Sequence, residues 1–423
     1  MQRIGTKPFF RYGILPALAT LSILSPTRSY AFEHTWNPHN LELTARTRTG
    51  SVAIPNGNDA KTSSILLRAN IESQWLDNLK SVIEMDYVEL FWEDEFTNGV
   101  NFNDTPVIPD TGGADLNQFF FTYELNNTLS LYLGREAYNI GNQRFVGTNG
   151  FWQNEQSFDG AGLKYEFASA SHVRYQFIAN ANRINGDDAT KELDPSDSIF
   201  AANNGLRPAK FLGDHEHESH LVFTQFREWD FSTVEAYLFD MDIKDALPLS
   251  NRTLGIRYEY KGRSGKLRTL GHAEIAVQTR PEVADDDRFS YQNFGAGIGF
   301  GSNELSINLE QLGETNGAAF VTPLASLHDK NGWADKFLLT PPSGLHDYSL
   351  QYIWRNSPVK VDARYHFFKD GVSGDSFGEE LDLDIEYKFS KIHSILFRGA
   401  DFKSRGPSLS DESRLFFMYR YNL

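Results

Sequence analysis

Residues 381–389, "LDLDIEYKF", decide the fold. Leu381, Leu383, Ile385, Tyr387 and Phe389 share one parity, and Asp382, Asp384, Glu386 and Lys388 share the other. Side chains alternate across a β-strand, so this run has one apolar face and one charged face. Working outward, "LELTARTRTG" sets Leu41, Leu43 and Ala45 against Glu42, Arg46 and Arg48. In "HVRYQFIANANR", Val173, Tyr175, Phe177, Ala179 and Ala181 oppose His172, Arg174, Gln176, Asn180 and Asn182. Lipid on one side of a wall and water on the other require this pattern. A soluble sandwich also alternates, but with a less regular charged face over so many strands.

About eighteen such runs lie between Leu41 and Leu423, and convincing helical periodicity is absent. Their connections alternate in length. Asp77-Asn78, Asn126 to Thr128, Ala168 to Ser171 and Ser390 to Ile392 are short; Trp92 to Asp115, Ala137 to Ser157, Ile184 to Ser219 and Glu314 to His346 are long. Together these features predict an all-β protein: a transmembrane antiparallel β-barrel of about 18 strands, with short periplasmic turns and long extracellular loops. The last run, "SRLFFMYRYNL", keeps Leu415, Phe417, Tyr419, Tyr421 and Leu423 in phase to the final residue. A long apolar edge of this kind invites aggregation unless it closes against another strand, and the run near Leu41 is the expected partner.

The N-terminus reads as a secretory leader. Arg3, Lys7 and Arg11 precede the apolar stretch Gly13 to Leu24, and Ser29-Tyr30-Ala31 supplies a small-x-small cleavage site. The expected organisation is a signal peptide over 1–31 and a barrel over 32–423. Beyond the leader no run approaches the about 20 apolar residues of a membrane-crossing helix. There is no cysteine, so folding rests on backbone pairing and burial alone.

A net charge of −16 and a mean hydropathy of −0.44 suit a barrel, whose lumen and outer loops are polar. Residues 92–115 hold six acids and no base, and residues 184–219 hold eight acids against three bases, so most of the excess sits in loops. An acidic total of this kind argues against a nucleic-acid partner.

The segment "GREAYNIGNQRFVGTNGFWQNEQSFDGAGLKYEF" (Gly134 to Phe167) resembles the signature of the alginate-export family of outer-membrane barrels, and "NGWADKFLLTPPSGLHDYSLQYIW" (Asn331 to Trp354) is similar to a second block of that family. The resemblance implies an eighteen-stranded barrel passing an anionic polyuronate through an arginine-rich constriction. The residues that carry it are Arg135, Arg144, Trp152, Gln153, Asn154, Gln156, Phe158 and Asp159. Guanidinium forks pair bidentately with carboxylates, so Arg135 and Arg144 could meet a uronate. Each could equally pair with Glu136, Glu155 or Asp159 and pin the loop. Trp152 with its amide neighbours suits either a sugar or loop packing.

Strand parity places Arg46, Arg48, Arg174 and Arg364 in the lumen beside a comparable number of acids, among them Asp362, Asp382 and Asp384. The expected pore-lining set is therefore Arg135, Arg144, Arg46, Arg48, Arg174, Arg364, Trp152, Asn154 and Asp159. "FGAGIGFG" lacks the helix of a dinucleotide loop and reads as a strand, with Phe294, Ala296, Ile298 and Phe300 toward lipid and Gly295, Gly297 and Gly299 leaving the lumen side bare. His215, His217 and His220 in "GDHEHESH" read as a solvated hinge rather than a metal site, and "ADDDR" (Ala284 to Arg288) lacks regular calcium-loop spacing. No nucleophile elbow or isolated carboxylate pair marks an enzyme. The expectation is a non-enzymatic outer-membrane channel for hydrophilic, anionic solutes or a polysaccharide such as alginate-type polyuronate, with a general or small-solute uptake porin as the alternative. No cofactor or metal is expected. Outer-membrane lipid, lipopolysaccharide and a periplasmic export partner are the expected neighbours.

Overall fold

The computed structural model describes residues 37–423 apart from Asn56 and Ser169; the expected leader, residues 1–31, lies outside them. The first strands are β1 (Asn37–Ala53), β2 (Ala60–Leu76), β3 (Leu79–Phe91), β4 (Gly113–Asn126), β5 (Leu129–Glu136), β6 (Ser157–Ala168) and β7 (Ser171–Asn182). They are followed by β8 (Asp214–Trp229), β9 (Ser232–Met241), β10 (Asn251–Ser264), β11 (Leu267–Arg280), β12 (Ala284–Phe300) and β13 (Asn303–Leu312). A small hairpin, β14 (Glu314–Thr315) and β15 (Ala318–Ala319), stands apart. The wall resumes with β16 (Leu345–Asn356), β17 (Val359–Asp370), β18 (Ser376–Lys388), β19 (His393–Ser404) and β20 (Glu412–Asn422).

Eighteen strands form one antiparallel sheet, and β1 pairs with both β2 and β20, which closes it. At the seam Leu43 and Leu423 exchange backbone hydrogen bonds of 2.9 and 2.8 Å. Closure removes every edge, the only way a sheet satisfies its backbone in lipid. Adjacent strands are joined by short turns at one end, such as 77–78 and 301–302. At the other end run the long loops 92–112 (L2), 137–156 (L3), 183–213 (L4) and 313–344 (L7).

The outward parity is apolar: Leu133, Leu254, Ile298, Phe300 and Ile307 are among the most exposed apolar side chains. In a barrel this belt faces acyl chains. Gly295 and Gly297 face inward, as the alternation required. Two strands begin earlier than the sequence suggested. Asp214 rather than His220 opens β8, and Ala284 rather than Tyr291 opens β12, so "GDHEHESH" and "ADDDR" are wall rather than hinge or loop. A bulge between Ile178 and Asn180 also shifts the end of β7. Ala181, expected toward lipid, is fully buried and pairs with Phe158 and His215.

The inward parity is not uniformly polar. Toward the long loops, Tyr237, Phe239, Phe289, Tyr291, Phe368 and Phe402 all point inward and are buried in one apolar cluster. What they pack against is not another sheet but L3 and L7.

Candidate functional site

L3 carries its own apolar side chains, Tyr138, Ile140, Phe145, Val146 and Trp152, and all five are buried. Exposing them to water would be costly, so the loop folds into the barrel. Phe145 sits among Tyr237, Tyr291 and Phe320, with ring centroids 4.9, 5.4 and 6.0 Å away. A loop buried in this way must find partners for its polar groups, and it finds them on opposite walls. Asn142 donates to Glu274 on β11 at 2.9 Å and Arg144 meets Glu310 on β13 at 3.1 Å. Across the barrel, Gln153 donates to Ser64 on β2 at 2.7 Å and accepts from Arg46 on β1 at 2.8 Å. L3 therefore spans the lumen.

L7 completes the layer. Its tip, Asn331 to Lys336, is clamped to β13 and to the β16–β20 wall. Asn331 donates to Glu310 at 2.6 Å, the Ala334 amide donates to Glu380 at 2.7 Å, and the Trp333 amide donates to Asp382 at 3.3 Å. The two loops also bond each other: the Gly147 amide donates to the Leu324 carbonyl at 2.9 Å and the Asn149 amide donates to Ser326 at 3.0 Å. Burial pushes the Asp335 carboxyl up, but His328 and Arg414 more than offset this and hold it below the usual carboxylate range. Burial pulls the Lys330 ammonium down, against the opposing pull of Asp329 and Glu310.

A continuous stack of guanidinium and aromatic groups runs through the layer. Arg364 on β17 lies 5.1 Å from the Trp333 ring, and Arg398 on β19 lies 4.0 Å from the same ring. Arg398 also lies 4.3 Å from Phe151, and Arg48 on β1 lies 5.2 Å from Phe151 and 5.0 Å from Trp152. Both loop tips are thus held by cation–π contacts in a largely dry setting, where such contacts are strongest.

The pore-lining residues expected from the sequence now have definite places. Arg46 is buried and donates to Gln153, to the Gly150 carbonyl at 3.0 Å and to the Trp152 carbonyl. Arg48 pairs with Asp110 of L2 and donates to the Phe151 carbonyl at 2.8 Å. Asn154 donates to the Thr111 carbonyl and hydroxyl at 3.0 and 2.6 Å, which ties L3 to L2. Arg174 pairs with Glu136 at 2.6 Å on the wall, over the Tyr138 ring. Trp152 is 2% exposed among Val52, Phe96, Ile108 and Phe416. Of the nine residues, Arg144 and Arg364 line the cavity on the short-turn side of the layer and Trp152 lines the one on the long-loop side.

Arg135 and Asp159 form a bidentate pair at 2.6 and 3.0 Å. The register explains their spacing in the sequence: Gly134 faces Gly160, Arg135 faces Asp159 and Glu136 faces Phe158 across β5 and β6. The Gly-Arg pair and the Phe-Asp-Gly triplet are one cross-strand motif interrupted by L3. Gly134 holds φ +126, and a Cβ there would lie 2.3 Å from the Phe119 carbonyl oxygen, so no other residue fits without displacing backbone.

The histidines do not converge. His215 and His217 point into the barrel and are buried, whereas His220, of opposite parity, faces outward and meets the Tyr175 hydroxyl at 2.8 Å. Among the described residues no group of three His, Cys, Asp or Glu could hold a metal ion. Sequence reasoning missed the inward aromatics. Their signal was adjacent apolar residues of opposite parity, Leu238-Phe239 and Phe367-Phe368, which make both faces of the wall apolar.

Residues 53–193 match the alginate-export family. The matched segment runs from the end of β1 into L4 and includes the whole of L3 and the Arg135–Asp159 motif. No curated protein matches the chain. Among solved structures, OccAB4 of Acinetobacter baumannii superposes with a TM-score of 0.71 at 10% identity, over 93% of this chain and 100% of that one. OpdK of Pseudomonas aeruginosa, solved with vanillate, gives a TM-score of 0.65 at 11% identity, over 90% of this chain and 98% of that one. OpdL of the same organism gives 0.63 at 12% identity, over 90% and 98%. At these identities the likeness shows the fold alone: a closed antiparallel β-barrel of the kind those bacterial outer-membrane proteins have.

Proposed function

We propose that the chain is a channel that passes small hydrophilic anions across the outer membrane. The observation that carries this reading is the division of the lumen. L3 and L7 leave one cavity of about 340 Å³ toward the short turns and another of about 410 Å³ toward the long loops. Each is the size of a small-molecule site.

Anion preference has support at the layer. Arg46 is held by carbonyls and an amide, and Lys330 donates to the Asn142 carbonyl at 2.9 Å. Neither forms an ion pair with a carboxylate among the described residues; of the two, Lys330 lines the cavity toward the short turns and offers its charge to a solute, whereas Arg46 is buried against L3 and Arg135, Arg144, Arg48 and Arg174 are paired within the protein. Fixed cations replace part of the water around an anion, and several weak sites in series allow it to leave again. No enzymatic step belongs to this reading.

Passage of a polyuronate is the second reading, favoured by the match of residues 53–193 to the alginate-export family. A sugar chain needs an unbroken passage, so this reading requires L3 and L7 to leave the lumen, and a periplasmic partner to feed the chain. Single-channel conductance of the refolded protein in a planar bilayer under a salt gradient tests both. Anion-selective current indifferent to added polyuronate supports the small-solute channel, and anion-selective current blocked by polyuronate supports the second reading. Cation selectivity, or no current, overturns the proposal.

A further inference from the structure

The cavity on the long-loop side differs in chemistry from the layer beneath it. Arg183, the first residue of L4, donates to the Pro323 carbonyl at 3.0 Å. Burial lowers its guanidinium to about 10, so it stays charged at neutral pH. The exposed Lys210 rests its ammonium 4.8 Å from the Phe211 ring. Among the described residues no carboxylate lies within ion-pair distance of either cation. The acids that line this cavity, Asp335 of L7 and Glu412 of β20, are already held by His328, Arg414 and Lys336.

His215 lines the same cavity and is 1% exposed. Its Nε2 lies 2.8 Å from the Ala209 carbonyl oxygen, which only accepts, so Nε2 carries the proton and Nδ1 is a bare acceptor. That Nδ1 has no partner, and a buried polar atom without one is costly unless something else supplies it. The rest of the lining is largely apolar and includes Ile54, Pro109, Leu338 and Leu339. Leu338 and Leu339 are 38% and 55% exposed on a loop, away from the lipid belt. Two unpaired cations, a spare acceptor and apolar walls together describe a binding site rather than a water-filled funnel.

We propose that this outer cavity binds a small organic carboxylate with an apolar body. Arg183 and Lys210 take the carboxylate, the leucine and proline walls take the body, and His215 Nδ1 takes a hydroxyl or water proton. The proposal rests on reading the chain as a channel, whose solute would halt here before the L3–L7 layer. It also narrows that reading, because a uronate chain has no apolar body to place against Leu338 and Leu339.

The test is calorimetric titration of the refolded protein in detergent with benzoate, acetate and a short oligouronate, repeated on Lys210→Gln, Arg183→Gln and Arg183→Lys. Benzoate is expected to bind at least about tenfold more tightly than acetate, as a few buried apolar carbons would give. Lys210→Gln and Arg183→Gln should each weaken benzoate by about tenfold, the scale of one charge-assisted hydrogen bond, and Arg183→Lys should restore part of it. Lys210 is exposed, so its variant tests the site even if Arg183→Gln disturbs L4. Equal affinity for acetate and benzoate, tighter binding of the oligouronate, or unchanged benzoate affinity in both glutamine variants overturns the proposal. Conductance of the same preparations separates the two readings. An anion-selective channel with no benzoate site sinks this inference alone, whereas benzoate binding with no conductance sinks the channel and leaves the site standing.

Discussion

The two halves of the lumen are built from the same eighteen strands and behave oppositely. Toward the long loops the wall turns Tyr237, Phe239, Tyr291, Phe368 and Phe402 inward, and L3 and L7 pack against them in a layer that buries these rings, with the outer cavity beyond it. Toward the short turns the wall presents Gly295, Gly297, Ser306 and Asn308, and a cavity remains. The difference teaches how a barrel wall encodes its contents. Where both parities are apolar, protein lies on the inside; where one parity is polar or bare, water does. Four tests would break or sharpen this contrast.

The largest effect is expected at Trp152, the most deeply buried large side chain of L3. Trp152→Ala removes the ring that fills the space between Val52, Phe96 and Phe416. Loss of a buried tryptophan costs about 3–5 kcal/mol, here against the docking of L3 rather than against the strand ladder. The expected outcome is an intact barrel by far-UV circular dichroism with larger and noisier single-channel current. A barrel that loses its β signal would show that L3 holds the wall together instead.

Next in size is the stack that joins the loop tips. Arg398 touches Trp333 and Phe151 and also pairs with Asp384 at 2.7 Å. A desolvated cation–π contact is worth up to about 2 kcal/mol. A double-mutant cycle of Arg398→Ala and Trp333→Ala, read by protease access to L7, should therefore be non-additive by about that amount. Additive single effects would mean that the two groups are merely neighbours.

How much of this was legible in the sequence follows from the range of the interactions. All eighteen strands and the alternation of short and long connections could be read, because a strand's period of two is local. The cross-strand motif was visible as Gly134-Arg135 and Phe158-Asp159-Gly160, but its register was not, since L3 separates the halves. The fate of the arginines was hidden for the same reason. Arg48 depends on Asp110, and Arg144 on Glu310 and Asn331, partners that no spacing rule connects. Arg183 and Lys210 escaped the reading because a free cation is defined by the absence of neighbours, which only the folded loops reveal; His215 was noticed but read as part of a solvated hinge, whereas it is buried on the inner face of β8.

The open half gives the third test. Ser306 faces bare Gly297 across the strand pair, and its hydroxyl makes only a 3.5 Å contact with Gln351. Ser306→Trp should enter the inner cavity and lower conductance while changing stability by no more than about 0.5 kcal/mol. If current is unchanged, solute does not pass along the glycine-lined wall.

The smallest effect on conductance is expected at Arg135, which the resemblance singled out together with Arg144. Its bidentate partner Asp159 sits directly opposite on β6, and the pair is partly open to solvent, with side chains 24% and 32% exposed. Water and salt screen such a pair, so Arg135→Gln should cost no more than about 1 kcal/mol and leave conductance and anion selectivity where they were. The second arginine, Arg144, is the contrast: its guanidinium is 3% exposed against Glu310 where the loop layer meets the inner cavity, and removing it would strand a buried carboxylate. Two arginines nine residues apart in one motif thus belong to different physical regimes. A marked loss of anion selectivity in Arg135→Gln would show that the pair opens to meet solute, and would move the selective surface from the loop layer to the wall.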